Sequence, residues 1–456
     1  MKKYMMLLFA LIILFGFYGC SKQKEVLPPN NDIETQKKAG NSDQKEADSS
    51  KNDYGKLAQE LSIQMEQDDF TQTCELFSGD VKAVLDKAGM EDAWNQTVAS
   101  IGSYIQYVDT NIQETKEATI VISTLEYEKS GLAIKYTFNS AGEIDAIWLN
   151  YCTIPSNTED FKEVPIEIGE YKLDGILTLP NNAEEPPVAI LIQGSGQSDM
   201  SETIGANKPF ENLAQELAKQ GIATIRYNKR YYQHPEYADE SITISDEVLD
   251  DASAAVEFAR KCESVDATRI IIIGHSLGGM VAPIICEENP TVAGMISLAG
   301  SPRNLADIIY DQNEDAIAGM DLSDDIKSQQ LAKVKTEVEK IKALTAEDTD
   351  TYFNCNAKYW YSLNQLNSGE VAKFLEIPML FLQGSADFQV NIDKDFTEWK
   401  EILKNKLNCT FKEYNNLNHL FMNSNGKSDI TEYDVAGKVD GTVIMDIADW
   451  INGIGQ

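Results

Sequence analysis

Ile270-Ile271-Ile272-Ile273-Gly274-His275-Ser276-Leu277-Gly278-Gly279-Met280 is the stretch whose reading decides the fold. Four β-branched residues in a row, without polar alternation, predict a strand buried on both faces. The small residues that follow open an amphipathic helix through Val281, Ile284 and Ile285. Between the two lies Gly-x-Ser-x-Gly. So tight a strand-to-helix turn forces its middle residue into a strained backbone conformation, and a side chain at Gly274 or Gly278 would collide with neighbouring elements. Ser276 is thereby expected to stand alone at the top of a sheet, the position of a nucleophile.

A serine hydroxyl is a poor nucleophile until a base takes its proton, so a histidine and an orienting acid are required. The chain has 3 histidines, His234, His275 and His419. His275 lies inside the turn, with its side chain directed away from where a base must stand, and His234 lies in a polar loop before the nucleophile. His419 remains. It follows a strand predicted over 409–414 and sits in the polar turn Asn415-Asn416-Leu417-Asn418-His419. The acid is expected between Ser276 and His419, at the end of the preceding strand. Residues 378–383 (PMLFLQ) form that strand and run into Gly384-Ser385-Ala386-Asp387, making Asp387 the first carboxylate past its end.

In the order Ser276, Asp387, His419, and over about residues 161–456, the sequence resembles the α/β-hydrolase superfamily. Within it, the closer resemblance is to bacterial esterases related to dienelactone hydrolases and serine aminopeptidases. It is carried by Gln193-Gly194-Ser195-Gly196-Gln197-Ser198-Asp199, by Glu202-Thr203-Ile204-Gly205-Ala206-Asn207-Lys208-Pro209-Phe210, and by Arg226-Tyr227-Asn228-Lys229-Arg230. These are similar to the family's HGSG-x-x-D loop, ETIG-x-NKPF and RYDKR. Gln193 stands where a His is usual, and Asn228 where an Asp is usual. The resemblance implies an α/β-hydrolase fold, a small-molecule ester substrate, and a Ser276–Asp387–His419 triad working through an acyl-enzyme. The oxyanion is expected to meet the backbone N–H of Leu277 and, from the 194–196 loop, that of Ser195. No metal or organic cofactor is called for. A peptidase or thioesterase would use the same triad; the reading from a different class is a surface-binding lipoprotein whose hydrolase fold has lost activity.

The remaining sequence sets the context. Its 456 residues suffice for two domains and a tail, and the net charge of −34 argues against nucleic acid or an anionic membrane surface as partner. Lys2 and Lys3, the apolar run 5–18 and Gly19-Cys20 are similar to a bacterial lipoprotein signal over residues 1–20, implying an extracytoplasmic protein held on the membrane only through a lipid on Cys20; the alternative is a plain secretory signal with an incidental Cys and a secreted protein. Residues 21–53 are too polar to bury a core and are expected to be a disordered tether. Residues 54–152 predict a small α+β domain. Leu57, Leu61 and Met65 share a helix face, and strands are expected at 104–112, 118–128, 132–138 and 144–149. This domain resembles the uncharacterised cone-shaped domains that precede hydrolases in secreted bacterial proteins, and lacks a nucleophile, metal cluster or Gly-rich loop. A structural or substrate-presenting role is expected of it.

Residues 153–456 alternate strands and helices, which predicts a mostly parallel sheet covered on both faces. A hairpin (164–168 and 173–179), helices at 209–220 and 246–261, strands at 188–192, 222–227 and 295–299, and a closing helix at 443–451 build it. A charged helical insertion at about 303–369 is expected to form a cap over the nucleophile. Its Tyr352, Phe353, Tyr359, Trp360 and Tyr361 are candidates for lining a pocket, or simply pack the insert on the body. Cys74, Cys152, Cys262, Cys286, Cys355 and Cys409 are expected to be free thiols.

Overall fold

The computed structural model describes residues 44–454 apart from 100, 116, 117, 129 and 240, with side chains from Tyr54 onward. The expected signal segment and residues 21–43 of the expected tether lie outside the described residues. The chain divides into two compact units, one ending at Ile154 and the other running Pro155–Gln456.

In the smaller unit, helices α1 (Gln44–Glu66), α2 (Thr71–Glu75), α3 (Gly79–Val84) and α4 (Lys87–Val98) precede strands β1 (Tyr104–Glu114), β2 (Thr119–Tyr127), β3 (Gly131–Phe138) and β4 (Ile144–Cys152). The strands form an antiparallel meander in sequence order. Strand β3 shows why: Leu132, Ile134, Tyr136 and Phe138 alternate onto one face and are buried with Leu61, Met65, Phe70, Phe77 and Trp94. Helix α1 starts inside the stretch read from its polarity as disordered. Half of residues 44–53 are good helix formers, led by Gln44-Lys45-Glu46-Ala47, and adding them to a helix already nucleated by its packed part avoids the initiation penalty.

In the larger unit come β5 (Phe161–Ile168), β6 (Leu173–Pro180), β7 (Val188–Ile192), α5 (Pro209–Lys219), β8 (Ala223–Tyr227), α6 (Asp250–Lys261), β9 (Ile270–His275), α7 (Leu277–Glu288) and β10 (Gly294–Leu298). After them, α8 (Leu305–Gly319), α9 (Asp324–Lys342), the ribbon β11 (Thr351–Tyr352) and β12 (Cys355–Asn356), and α10 (Ala357–Asn364) make up the insertion. Helix α11 (Ser368–Phe374), β13 (Met379–Gly384), β14 (Cys409–Tyr414) and α12 (Gly441–Gly453) complete the unit. The sheet order is β14-β13-β10-β9-β7-β8-β6-β5, and β6 alone runs against the rest. The four isoleucines of β9 divide between its faces. Ile270 and Ile272 join the core with α6 residues Ala252, Ala255 and Val256. Ile271 and Ile273 join the opposite core with Leu213 and Leu217 of α5 and Val443 and Ile447 of α12. A strand enclosed on both sides has no polar positions to spare, which is what the unbroken run recorded.

The helix expected over 246–261 opens instead with a wide turn at Ser245–Leu249 before α6. The insertion is anchored at both ends. Arg303 pairs with Asp395 and Asp311, and Asn304 Nδ2 donates to Asn364 Oδ1 at 2.8 Å, so the chain leaves the insertion beside where it entered. Tyr352, Phe353, Tyr359 and Trp360 are buried in the main core, and the Trp360 indole N–H donates to the Tyr352 carbonyl. These four pack the cap; Tyr361 is half-buried. Cys74, Cys262, Cys286, Cys355 and Cys409 are free thiols.

A Cβ on Gly274 would lie 2.1 Å from the Gly278 carbonyl oxygen, which belongs to the buried backbone of α7. Gly274→Ala is therefore expected to destabilise the larger unit by about 3 kcal/mol or more, seen as a lowered urea midpoint at unchanged m-value.

Candidate active site

From β7 the chain crosses to β8 on one side, then returns past β7 to β9 on the other. Where successive connections depart in opposite directions, a crevice opens at the carboxyl ends of the strands. The loop after β7 and the turn after β9 both end there. Ser276 sits in that turn at φ 54° and ψ −115°. Its amide donates to the Leu298 carbonyl at 2.9 Å, fixing the turn to β10. A Cβ on Gly278 would lie 2.2 Å from the Ile192 carbonyl oxygen, so only glycine lets α7 approach β7 this closely.

Asp387 follows β13 and His419 follows β14, the next two strands along the sheet from β10. The His419 Nδ1 lies 2.8 Å from Asp387 Oδ2, and both side chains are buried. The carboxylate is held from its other directions: Oδ1 accepts from the amides of Gln389 and Val390, and Oδ2 accepts from Gln383 Nε2 at 2.8 Å. Held this way, it fixes which imidazole nitrogen carries the proton. The His419 turn is shaped by Asn418, whose Oδ1 accepts from the amides of Leu420 and Met422.

The loop after β7 is clamped by buried charges. The Gly194 amide donates to Glu202 Oε1 at 2.6 Å and the Gly196 amide donates to Glu247 Oε1 at 2.9 Å. Lys229 Nζ donates both to the Gly194 carbonyl at 2.8 Å and to Glu247 Oε1 at 2.6 Å. Between the two committed amides, the Ser195 N–H has no acceptor among the described residues, and neither does that of Leu277 at the start of α7. An unpaired pair of donors flanking a serine is suited to holding an anionic oxygen. Gln193 donates to the carbonyls of Tyr227 and Asp199, and Asn228 Oδ1 accepts from the Met200 amide, so both substituted motif positions hold the same loop from behind.

His275 is buried, with Nδ1 3.0 Å from Glu202 Oε1 and Nε2 2.9 Å from the His419 carbonyl oxygen. His234 bonds instead to Glu236 and the Tyr171 carbonyl. Sequence reasoning missed Glu202, Glu247, Lys229 and Gln383. The first and third lie inside the quoted ETIG and RYNKR motifs, which was the available signal; Glu247 and Gln383 carried none. Among the described residues no cluster of three or more His, Cys, Asp or Glu could hold a metal ion.

Strand order and the serine turn define residues 155–456 as an α/β-hydrolase fold. Comparison with known proteins narrows this. The family described as serine aminopeptidase, S33, matches residues 205–425, and a family of unknown function matches residues 58–146. Esterase EstD of Thermotoga maritima is 29% identical over 391 residues, covering 84% of this chain and 92% of that one. Among solved structures, Est1E from Butyrivibrio proteoclasticus aligns at 18% identity and a TM-score of 0.40, covering 63% of this chain and 95% of its own. The Pyrococcus furiosus esterase Pf2001 aligns at 14% identity and a TM-score of 0.41, covering 66% of this chain and 96% of its own. The chain is an esterase-like α/β-hydrolase.

Lys229 and Glu247 are 5% and 7% exposed, so removing one leaves the other charged and buried. Lys229→Met is expected to cost about 3 to 5 kcal/mol, and adding Glu247→Gln should recover a large part of that loss in a double-mutant cycle of thermal unfolding.

Proposed function

We propose that the protein is a serine carboxylesterase. The observation that carries this reading is the 2.8 Å contact of His419 Nδ1 with a carboxylate fixed on every other side, at the crevice where Ser276 is presented. Ser276 Oγ attacks the ester carbonyl carbon while His419 Nε2 takes its proton. Asp387 holds the imidazole tautomer and stabilises the imidazolium as it forms. Negative charge gathering on the carbonyl oxygen is met by the N–H groups of Leu277 and Ser195, and each such donor lowers the barrier by about 3 to 4 kcal/mol. Collapse of the tetrahedral species expels the alkoxide, which receives the proton from His419. Water then attacks the acyl-enzyme by the same sequence and releases the acid.

The family description favours peptide hydrolysis as a second reading, because the same triad expels an amine once it is protonated. Matched p-nitrophenyl esters and aminoacyl p-nitroanilides separate the two. Turnover of the esters alone supports the carboxylesterase; turnover of the anilides alone replaces it with the peptidase.

For the location, residues 1–20 support a lipoprotein outside the cytoplasm, joined to the membrane by acyl chains on Cys20. Incorporation of labelled palmitate that is lost in Cys20→Ala is the expected result, and incorporation that survives the substitution would rule this anchor out.

Ser276→Ala should abolish both ester turnover and labelling by a fluorophosphonate. Asp387→Asn leaves the shape of the site intact but inverts the favoured tautomer of His419, and kcat is expected to drop about ten-thousand-fold in steady-state assays.

A further inference from the structure

We propose that Glu202 and His275 form a buried ion pair that positions the His419 turn and the oxyanion loop against each other. The inference rests on the serine-hydrolase reading of the site and adds two positioning residues to it. Neither side chain has a part in the proton transfers described above, yet together they touch both halves of the machinery.

The proton count follows from the partners. His275 Nε2 faces the carbonyl oxygen of His419 at 2.9 Å, and a carbonyl can only accept, so Nε2 carries a hydrogen. Nδ1 faces Glu202 Oε1 at 3.0 Å, and that same oxygen already accepts the Gly194 amide at 2.6 Å. A neutral imidazole would point its remaining lone pair at the carboxylate. An imidazolium donates from both nitrogens and satisfies every contact. The titratable groups facing His275 are Glu202, His419 and Asp387, while Phe210, Leu213, Leu298, Leu420 and Phe421 enclose it with apolar surface. Burial alone depresses the pKa of the ring. The Glu202 charge and hydrogen bond, the His419 carbonyl and the Asp387 charge outweigh it and leave the pKa above the ordinary value.

Glu202 is prepared for this place. It is 3% exposed and holds φ 51°, a left-handed backbone that costs energy in a residue with a Cβ. Asp199 fixes the conformation by accepting from the amides of Ser201 and Thr203. A rigid chain therefore runs from the Gly194 amide through Glu202 and His275 to the His419 backbone. The two rings also lie close to each other. The rings of His275 and His419 are 4.6 Å apart, centre to centre, and the His275 ring stands between His419 and Glu202.

Imidazole nitrogen NMR on the full chain carrying Ser276→Ala reads the proton count without needing activity, and with 3 histidines the signals can be assigned by substitution. His275 is expected to show both nitrogens protonated at neutral pH, and a singly protonated His275 would overturn the ion pair. In the otherwise native chain, Glu202→Gln keeps the shape but removes the charge. It should lower kcat about 100-fold, the scale of a small misplacement at a reacting centre, with little change in KM. A retained kcat, or a loss confined to KM, would sink the positioning role even if the serine chemistry stands. Ester turnover that survives Ser276→Ala would sink the catalytic reading while leaving the proton count intact. Should Glu202→Gln fail to fold, the NMR result decides the ion pair alone.

Discussion

The close approach of α7 to β7 is the constraint on which the rest of the larger unit depends. Because Gly278 lies where a Cβ would meet the Ile192 carbonyl oxygen at 2.2 Å, the helix can start immediately above the sheet. That brings the first amide of the helix, the strained serine and the loop after β7 into one small volume at the switch point of the strand order. A side chain there would lift the helix and separate all three. The strain at Ser276 persists because β9 on one side and ten buried residues of α7 on the other leave the turn no freedom to relax.

Around that volume the protein uses buried charge as scaffolding. Glu202, Glu247 and Lys229 hold the backbone of Gly194 and Gly196, and the fully buried pair Arg226–Glu163 lies next to Ser201, to which Arg226 also donates. Such pairs add little net stability because desolvation offsets their attraction, but an orphaned partner is so unfavourable that alternative loop conformations are excluded. In a chain with 39 Lys and Arg against 73 Asp and Glu, it is notable that two of the cations are enclosed behind this loop.

Much of this was legible in the sequence. The unbroken Ile270–Ile273 run announced a strand enclosed on both faces, and the three-histidine composition narrowed the candidate base to His419 once the places of the other two were weighed. Asp387 was picked out as its candidate partner because it is the first carboxylate beyond a strand, and it lies 2.8 Å from His419 Nδ1. What could not be read were contacts joining distant segments: Glu247 reaches Gly196 across 51 positions and His275 reaches His419 across 144. No local period records such partners. The early start of α1 escaped for a different reason, since polarity measures the capacity to form a core and says little about extending a helix that already has one. The cap aromatics were ambiguous because apolar lining and apolar packing use the same side chains, and burial assigns Trp360 and three neighbours to packing.

The hydrogen bond between Asn304 and Asn364 means that the inserted segment begins and ends at one point. A segment with coincident ends behaves, for the rest of the chain, like a closed loop whose entropy depends only logarithmically on its length. Descendants of this protein can therefore lengthen, shorten or replace the intervening sixty residues or so without altering the strands beneath. Diversification of the insertion is thereby uncoupled from the strands and turns beneath it, and the two can be inherited as separate parts.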